Sequence, residues 1–260
     1  MRIATWNVNS VKAHLDSVTQ WLEEEKPDVL CLQELKCEDH AFPTEHFSNM
    51  GYAAHVHGQK TYNGVALLSR IPIENLRRGL PGDETDEQAR FILGTAIDGN
   101  LAVNIASIYL PNGNPAPGPK YDYKLAWMER LTNFTKDLLK DEEPLVLAGD
   151  YNVIPSPQDA RHPQNWVGDA LFMPETHDAF RKLQNLGLTE SFRALHPAST
   201  EYSFWDYQAG AWPKNNGIRI DHLLLSPQAA DKLQSAQIFK DARGHDRPSD
   251  HVPVLIEIRQ

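Results

Sequence analysis

Six short polar motifs in the chain each stand at the end of an apolar run that predicts a β-strand. Their side chains are Asn7, Glu34, Tyr109 with Asn112, Asp150 with Asn152, Asp221, and Asp250 with His251. A sheet aims the residues at its strand ends into a shared crevice, so we expect these groups to lie together. Hydrolysis of a phosphodiester needs acids that bind a cation, a base that deprotonates water, and donors that stabilise the charge growing on the phosphate oxygens. These residue types supply all three.

Each of these residues alone has an ordinary structural explanation. An acid after a strand, such as Asp150, is usually a turn former or a helix cap, and Asn7 or Asn112 suits a turn because asparagine tolerates the left-handed region. Tyr109 alone fits a core aromatic residue, and His251 beside an aspartate fits a structural hydrogen-bonded pair. The catalytic interpretation rests on the number of such sites in one chain.

Composition narrows the kind of site. The 25 basic and 35 acidic residues leave a formal charge of −10, the wrong sign for binding nucleic acid by bulk electrostatics, so any phosphate binding must be local. Carboxylate and amide oxygens without a cysteine cluster favour Mg²⁺, with Mn²⁺ as a substitute, over Zn²⁺.

Cys31 and Cys37 are too few for a disulfide framework and predict a reducing, cytoplasmic setting. No apolar run approaches the roughly 18 residues of a membrane span.

Strand and helix patterns alternate along the chain. Short apolar runs predict strands at Arg2 to Trp6, Asp28 to Leu32, Gly64 to Leu68, Phe91 to Ile97, Leu101 to Tyr109, Leu145 to Ala148, Ile220 to Leu225 and Val252 to Ile258. Helical spacing predicts helices from Val11 to Leu22 with Asn9 or Ser10 as the cap, around Met128 to Leu138, around Phe180 and Leu183, and from Ser226-Pro227 to Leu233.

The connecting segments show no linker and no short repeat. Pro111 to Pro119 and Arg78 to Glu87 are rich in proline, glycine or acids and are predicted to be surface loops. We therefore expect residues 1–260 to form one domain, an α/β sandwich in which two similar sheets pack face to face.

Five motifs occur in the order found in the exonuclease III family of abasic-site DNA endonucleases. They are Leu-Gln-Glu-Leu-Lys, Tyr-Leu-Pro-Asn-Gly, Gly-Asp-Tyr-Asn, Arg-Ile-Asp-His-Leu-Leu and Ser-Asp-His-Val-Pro-Val. The sequence resembles this branch of the endonuclease/exonuclease/phosphatase superfamily from its first strand to its last. The resemblance implies a DNase I-like, four-layered α/β sandwich, with two packed mixed β-sheets flanked by helices.

The same resemblance implies a Mg²⁺-dependent DNA phosphodiesterase of base-excision repair. Such an enzyme cuts at abasic sites in double-stranded DNA, degrades strands from the 3′ end and removes 3′-phosphates and other blocking groups. Nothing in the sequence calls for more than a monomer.

Metal ligands are also implied by the resemblance. Glu34 is the first of them, and Asn7 and Asp250 are alternative ligands or ligands of a second ion, with Asp150 and Asn152 beside them.

Catalytic roles follow from the resemblance in the same way. Asp150 would activate the attacking water, and the scissile phosphate would be held by Asn152, Tyr109 and Asn112. His251, oriented by Asp221, would donate to a phosphate oxygen. Whether the base is Asp150 or the Asp221–His251 pair stays open at this point.

Substrate contacts are implied on two surfaces. An apolar wall for a flipped-out sugar without a base would include Phe204 and Trp205, then Ile218 and Ile220 on either side of Arg219, and Trp212, although aromatic residues beside a strand are often core. A local cationic rim for the DNA backbone would include Lys36, Arg90, Lys120, Lys124, Lys214 and Arg219, of which we assign Lys124 and Arg219 to substrate binding. The Pro111 to Pro119 loop departs from the family pattern, so its DNA contacts stay open.

Two other functions remain possible on the sequence alone. Another branch of the superfamily, such as an inositol-phosphate or sphingomyelin hydrolase or an RNA deadenylase, would share the metal centre and differ in its substrate walls. A non-catalytic binding protein on the same fold would usually lose the metal acid or the base, whereas Glu34 and Asp150 are both present.

Overall fold

Strands and helices interleave along the chain in a computed structural model that describes residues 1–259. The strands are Arg2–Asn7 (β1), Val29–Gln33 (β2), Ala53–His57 (β3), Val65–Ser69 (β4), Ile73–Arg78 (β5), Phe91–Asp98 (β6), Leu101–Tyr109 (β7), Leu145–Asp150 (β8), Thr189–Glu190 (β9), Asp221–Leu225 (β10), Leu233–Ile238 (β11) and Val254–Ile258 (β12). The α-helices are Leu15–Glu25 (α1), Thr44–Asn49 (α2), Pro119–Leu138 (α3), Pro174–Gln184 (α4), Ser191–Leu195 (α5) and Pro227–Ala230 (α6).

The strands form two six-stranded sheets with the same pattern of parallel and antiparallel neighbours. The first sheet has the order β11-β12-β1-β2-β4-β3, and the second has the order β5-β6-β7-β8-β10-β9. In each sheet the central pair, β1 with β2 or β7 with β8, is parallel and every other neighbouring pair is antiparallel. A parallel pair needs a crossover connection, and α1 and α3 supply it. Both sheets are therefore mixed, as predicted.

Apolar side chains fill three layers of core. The layer between the sheets holds Ile3 and Cys31 from the first sheet and Ile105 and Val146 from the second. A second cluster packs the helix α1 on the outer face of the first sheet, and a third packs α3 and α4 on the outer face of the second sheet. Helix, sheet, sheet and helix make four layers, which confirms the predicted α/β sandwich.

One polar side chain links the two sheets near the end of their central strands. The amide of Gln33, fully buried at the end of β2, donates to Thr5 Oγ1 at 3.0 Å and to Ser107 Oγ on β7 at 2.9 Å. Ser107 Oγ in turn donates to the carbonyl of Leu32 at 2.9 Å. These bonds fix how β2 lies on β7 immediately before the residues that follow both strands.

The first helix begins later than its apolar spacing predicts. Asn9 and Ser10 adopt φ values of +44° and +90°, and the helix starts at Leu15, so neither residue is its N-cap. The reason is that Ser10 and Val11 donate backbone hydrogen bonds to the carbonyls that follow β2, at 2.8 and 3.2 Å. The segment before α1 is thereby tied to the Glu34 loop.

Further differences lie at the sheet edges and in the short helices, of which α2 and α5 were not predicted. β3, β5 and β11 are edge strands whose exposed polar residues hide the alternating pattern. The helix predicted to reach Leu233 ends at Ala230, and Leu233 opens β11 instead. Among residues 1–259, none of the helices combines the length and the apolar character that crossing a membrane requires.

Gly149 is required where β7 and β8 meet. It pairs with Ile108, and a Cβ atom at this position would lie 1.9 Å from the Ile108 carbonyl oxygen. We expect Gly149→Ala to lower the free energy of unfolding by about 1–3 kcal/mol through overpacking, measured by urea denaturation. Gly244→Ala is the matched control, because its Cβ would make only ordinary contact with Trp212. Equal stability of the two variants would contradict this role for Gly149.

Candidate metal and phosphate site

The ends of the central strands of both sheets open into one cavity of about 310 Å³. Seven of the polar residues singled out in the sequence line it, namely Glu34, Tyr109, Asn112, Asp150, Asn152, Asp250 and His251. Asn7 and Asp221 lie directly behind this lining and bond to it. The structure thus brings together the polar motifs from six separate parts of the chain.

Glu34 directly follows β2 and adopts a left-handed backbone conformation, which is uncommon for residues other than glycine. Its φ is +53°, and the following backbone groups of Leu35 and Lys36 bond to the loop before β4. Burial alone would raise the pKa of Glu34, but the amide of Asn7 and the charge of Lys36 hold that pKa below its ordinary value. Lys36 Nζ lies 3.2 Å from Glu34 Oε2. Glu34 is therefore an ionised acid at neutral pH.

Asn7 holds the two acids of the cavity in one place. Its buried side-chain amide donates to Glu34 Oε1 and to Asp150 Oδ2, each at 2.9 Å, although the two acids come from different sheets. Asn7 Oδ1 accepts a bond from the backbone N–H of Asn9 at 3.0 Å, which fixes the orientation of the amide. In this arrangement Asn7 presents its donor side to the acids.

Asp150, His251 and Asp221 form a line of charged groups. His251 Nδ1 lies 2.8 Å from Asp221 Oδ2, and His251 Nε2 lies 3.7 Å from Asp150 Oδ2. Burial alone would lower the pKa of His251, but the two aspartates raise it to about 10. Burial raises the pKa of Asp150 to about 7. At neutral pH the imidazole is therefore protonated, with Asp221 fixing the proton on Nδ1.

The donor set suits a hard divalent cation. Glu34, Asp150 and His251 place one ligand atom each within 4.8 Å of one another. The carboxylate oxygens of Glu34 and Asp150 are the kind of ligand that Mg²⁺ and Mn²⁺ prefer. Asp250, whose Oδ1 accepts from the amide of Asn9 at 3.2 Å, adds a further carboxylate to the same cavity.

Neutral donors complete the polar lining of the cavity. Asn152 has a φ of +46°, its backbone N–H bonds to Asp150 Oδ1 at 2.9 Å, and its side chain accepts from Asn112 Nδ2 at 3.2 Å. Burial, and then the charges of Glu34 and Asp150, raise the pKa of Tyr109 well above its ordinary value. The Tyr109 hydroxyl therefore stays protonated, and in this structure it hydrogen-bonds to Glu34.

The predicted apolar wall is only partly present. Phe204 and Ile220 line the cavity, and Phe204 packs edge-to-face on His251, with ring centroids 4.9 Å apart. Ile218 lines an adjoining cavity. Trp205 is fully buried and bonds to Asn215, so a substrate contact is wrong for it. Trp212 packs on Trp205 at 5.0 Å and lines neither cavity.

Sequence reasoning missed four residues that line the cavity. They are Asn114, Trp166, Leu171 and Asp206. They lie in irregular segments without a strand-end motif, so no periodic signal marks them.

Lys124 was predicted to contact the DNA backbone, but the structure places it inside the protein. Its side chain is fully buried on α3, and Nζ donates to the carbonyls of Asn112 at 3.1 Å and Asn152 at 2.5 Å. Burial lowers the pKa of Lys124 to about 7. The prediction of a surface cation is wrong, because the ammonium instead joins the two loops that carry the amide donors.

Arg219 is the second predicted cation that is buried. Only 1% of the residue is exposed, Nε donates to Asp159 at 2.8 Å, and Nη1 lies 2.9 Å from Glu190. Although burial opposes ionisation, Arg219 lowers the pKa of Glu190 to about 2. The predicted DNA contact is wrong, because the guanidinium is buried and already bonds to the carboxylates of Asp159 and Glu190.

The other predicted rim cations keep an outward position or an internal partner. Lys120 is exposed at the start of α3, and Lys36 pairs with Glu34 at the cavity mouth. Arg90 packs over the ring of Tyr109 at 4.8 Å, and Lys214 Nζ donates to the Ala209 carbonyl at 2.9 Å.

Known proteins resemble this chain in both sequence and fold. Residues 4–251 match the model of the endonuclease/exonuclease/phosphatase family. The chain is 33% identical to exodeoxyribonuclease III of Haemophilus influenzae over the full length of both chains. Among solved structures, it is similar to the 3′ phosphatase NExo from Neisseria bound to a product DNA hairpin (TM-score 0.96, 37% identity) and to an AP endonuclease from Archaeoglobus fulgidus (TM-score 0.95, 33% identity), each with full coverage of both chains.

The burial of Arg219 predicts a stability defect in its neutral variant. Arg219→Met leaves Asp159 and Glu190 buried without their common partner, so we expect the free energy of unfolding to fall by about 3–5 kcal/mol in urea denaturation. Lys182→Met, which breaks an exposed pair with Glu129, should change it by less than about 1 kcal/mol. Normal stability with weakened DNA binding in Arg219→Met would restore the rim prediction.

The charged neighbours of His251 predict an unusual titration. Because its folded pKa of about 10 exceeds the ordinary value of 6.5, protonation of His251 stabilises the fold. That contribution is complete below pH 6.5 and is lost as the pH rises towards 10. NMR of the His251 ring in EDTA should show no titration near pH 6.5, and His251→Gln should remove this part of the stability loss above neutral pH. A midpoint near 6.5 would contradict the assignment.

Proposed function

The chain belongs to the endonuclease/exonuclease/phosphatase family, and we propose that it is a DNA-repair nuclease that cuts at abasic sites and trims 3′ ends. One observation carries this proposal. Glu34 and Asp150, from different sheets, share the amide of Asn7 in one cavity beside the His251–Asp221 pair. That arrangement supplies a cation site, a base and an acid within a single crevice.

The names of similar proteins support DNA as the substrate. One relative is an exodeoxyribonuclease III, and structural neighbours are an AP endonuclease and a 3′ phosphatase with a DNA hairpin. The likeness to each spans both full chains, so it includes the loops that surround the cavity. We propose double-stranded DNA with abasic sites or blocked 3′ ends as the substrate.

We propose Mg²⁺, or Mn²⁺ in its place, as the cofactor, held by Glu34 with Asp150 and Asp250 nearby. When bound, the cation neutralises the scissile phosphate and polarises its oxygens. Tyr109, Asn112 and Asn152 also line the cavity, and their O–H and N–H groups would donate to the phosphate oxygens and hold the phosphate for in-line attack.

The pKa directions favour Asp150 as the base. Burial raises its pKa to about 7, so its carboxylate can accept the proton of the attacking water near neutral pH. His251, with a pKa raised to about 10 against the opposing effect of burial, keeps its protons and serves as a donor to a phosphate oxygen. Asp221 positions that donor through Nδ1.

The setting of the protein is also proposed. We infer one catalytic domain over residues 1–260 that acts as a monomer, with DNA held by local cations such as Lys36 and Lys120 despite the net charge of −10. Free thiols at Cys31 and Cys37 support a reducing, cytoplasmic location.

The decisive experiment is incision of a duplex that contains one abasic analogue. Wild-type protein should cut it with Mg²⁺ or Mn²⁺ and not with EDTA, while circular dichroism stays unchanged because the cation is not a folding staple. Glu34→Gln and Asp150→Asn should lower turnover by about 10²-fold or more, since each removes a group used in the transition state. Glu38→Gln, at an exposed position near Glu34, is the matched control and should cut normally.

Two outcomes would contradict the proposal. Near-normal turnover by Glu34→Gln or Asp150→Asn would remove the assigned roles. Absence of cutting by the wild-type protein, with hydrolysis of an inositol phosphate or sphingomyelin instead, would favour another branch of the family.

A further inference from the structure

Asn114 connects two of the segments that surround the metal and phosphate cavity. It lies in the Pro111 to Pro119 loop, whose DNA contacts stay open on the sequence alone, and it lines the cavity beside Asn112. Its Nδ2 donates to Oδ1 of Asn112 at 2.9 Å and to Oδ1 of Asp169 at 3.1 Å, and its Oδ1 accepts from the backbone N–H of Ala170 at 3.1 Å. Asn114 therefore ties the loop after β7 to the segment before α4.

Backbone donors determine which end of each amide is the oxygen. The oxygen and nitrogen ends of an asparagine are nearly identical in shape, so their hydrogen-bond partners must distinguish them. The backbone N–H of Ala170 can only donate, so the atom of Asn114 that faces it is Oδ1. The backbone N–H of Asn114 identifies the facing atom of Asn112 as Oδ1 in the same way, at 3.2 Å. The positions of both amide nitrogens follow from these two bonds.

The amide of Asn112 is the middle member of a row of three amides. It accepts from Asn114 and donates from Nδ2 to Oδ1 of Asn152 at 3.2 Å. Asn152 Nδ2 in turn donates to the carbonyl of Leu110 at 2.9 Å. Within residues 1–259, the second N–H of Asn112 has no protein partner, and the residue is exposed in the cavity lining. This N–H is available to a phosphate oxygen.

The side chain of Asn114 opposes rotation of the Asn112 amide. Asn112 is exposed, and a half-turn of its amide exchanges the oxygen and nitrogen ends. The turned amide would present its oxygen to the phosphate, and the two negative groups would repel each other. Without the side chain of Asn114, the bond from its backbone N–H at 3.2 Å remains, but the bond from Nδ2 at 2.9 Å is lost.

The backbone of this loop is held by other contacts. Gly113 has a φ of +89°, and a Cβ atom there would lie 2.7 Å from Lys124 Cδ and 3.2 Å from Ala170 Cβ. Lys124 Nζ also donates to the carbonyl of Asn112 at 3.1 Å. These contacts do not involve the side chain of Asn114. Its loss therefore affects the orientation of the Asn112 amide more than the position of the loop.

We propose that Asn114 is a positioning residue that keeps the free N–H of Asn112 directed at the scissile phosphate, an inference that rests on the proposed function. Asn114 has no N–H left for the substrate, because both hydrogens of Nδ2 bond to protein oxygens. It acts through Asn112, and its effect is largest in the transition state, when charge grows on the phosphate oxygens.

The test is a double-mutant cycle on incision of the abasic duplex with Mg²⁺ or Mn²⁺. Asn114→Ala should lower kcat by about three- to tenfold and change KM by less than about twofold, because it removes one neutral hydrogen bond that orients a transition-state donor. Asn112→Ala should lower kcat by about 10²-fold, since it removes the donor itself. The double variant should match Asn112→Ala within about twofold, because the same donor is lost only once.

Two further variants separate the hydrogen bond from side-chain volume. Asn114→Leu keeps a branched side chain of similar size but cannot form these bonds, so it should repeat the loss of kcat seen with alanine. Asn133→Ala, exposed on α3 outside the cavity, is the matched control and should cut at the wild-type rate. Urea denaturation should give similar midpoints for all single variants.

The outcomes that overturn this inference differ from those that overturn the proposed function. If the double variant falls a further three- to tenfold below Asn112→Ala, Asn114 acts independently of Asn112 and the inference is wrong. A wild-type kcat in Asn114→Ala or Asn114→Leu would overturn it as well. Failure of the wild-type protein to cut the abasic duplex with either metal would instead overturn the proposed function, and the role of Asn114 with it.

Discussion

The site depends on one amide that holds two acids from different sheets together. Glu34 and Asp150 would repel each other if both were ionised, and Asn7 offsets this by donating to both at 2.9 Å. Asn7 is itself fixed because β1 lies beside β2 in one sheet and its end faces β8 in the other. The packing of the two sheets therefore determines how the two acids of the cavity are placed. A divalent cation would relieve the remaining repulsion between the acids.

Buried cations extend this constraint to the surrounding loops. Lys124 joins the carbonyls of Asn112 and Asn152, so the loops after β7 and β8 share one anchor. Arg219 binds Asp159 and Glu190 and so fixes the segment that leads into Asp221. Two basic residues of a protein with a net charge of −10 are thus buried inside the fold and are not exposed on its surface.

The fold and the centre of the site could largely be predicted from the sequence because both depend on local patterns. Central strands such as Leu101–Tyr109 are continuous apolar runs, and their polar ends identify the cavity residues. Burial of Lys124, Arg219 and Trp205 could not be predicted, because a sequence shows residue type and spacing but not the partners that satisfy a charge. Edge strands such as Ile73–Arg78 were missed because most of their residues are exposed to solvent and polar, so the sequence shows no apolar run there. Trp166, which lines both cavities, lies in an irregular loop that no periodicity describes.

The most direct test of the shared acid site is anomalous diffraction from crystals of the protein grown with Mn²⁺ and an abasic duplex that cannot be cleaved. We expect one strong manganese peak bound by an oxygen of Glu34, with Asp150 and the scissile phosphate in the same cavity and ligand distances of about 2.0–2.6 Å. A manganese peak elsewhere, with Glu34 and Asp150 both far from the phosphate, would contradict the account.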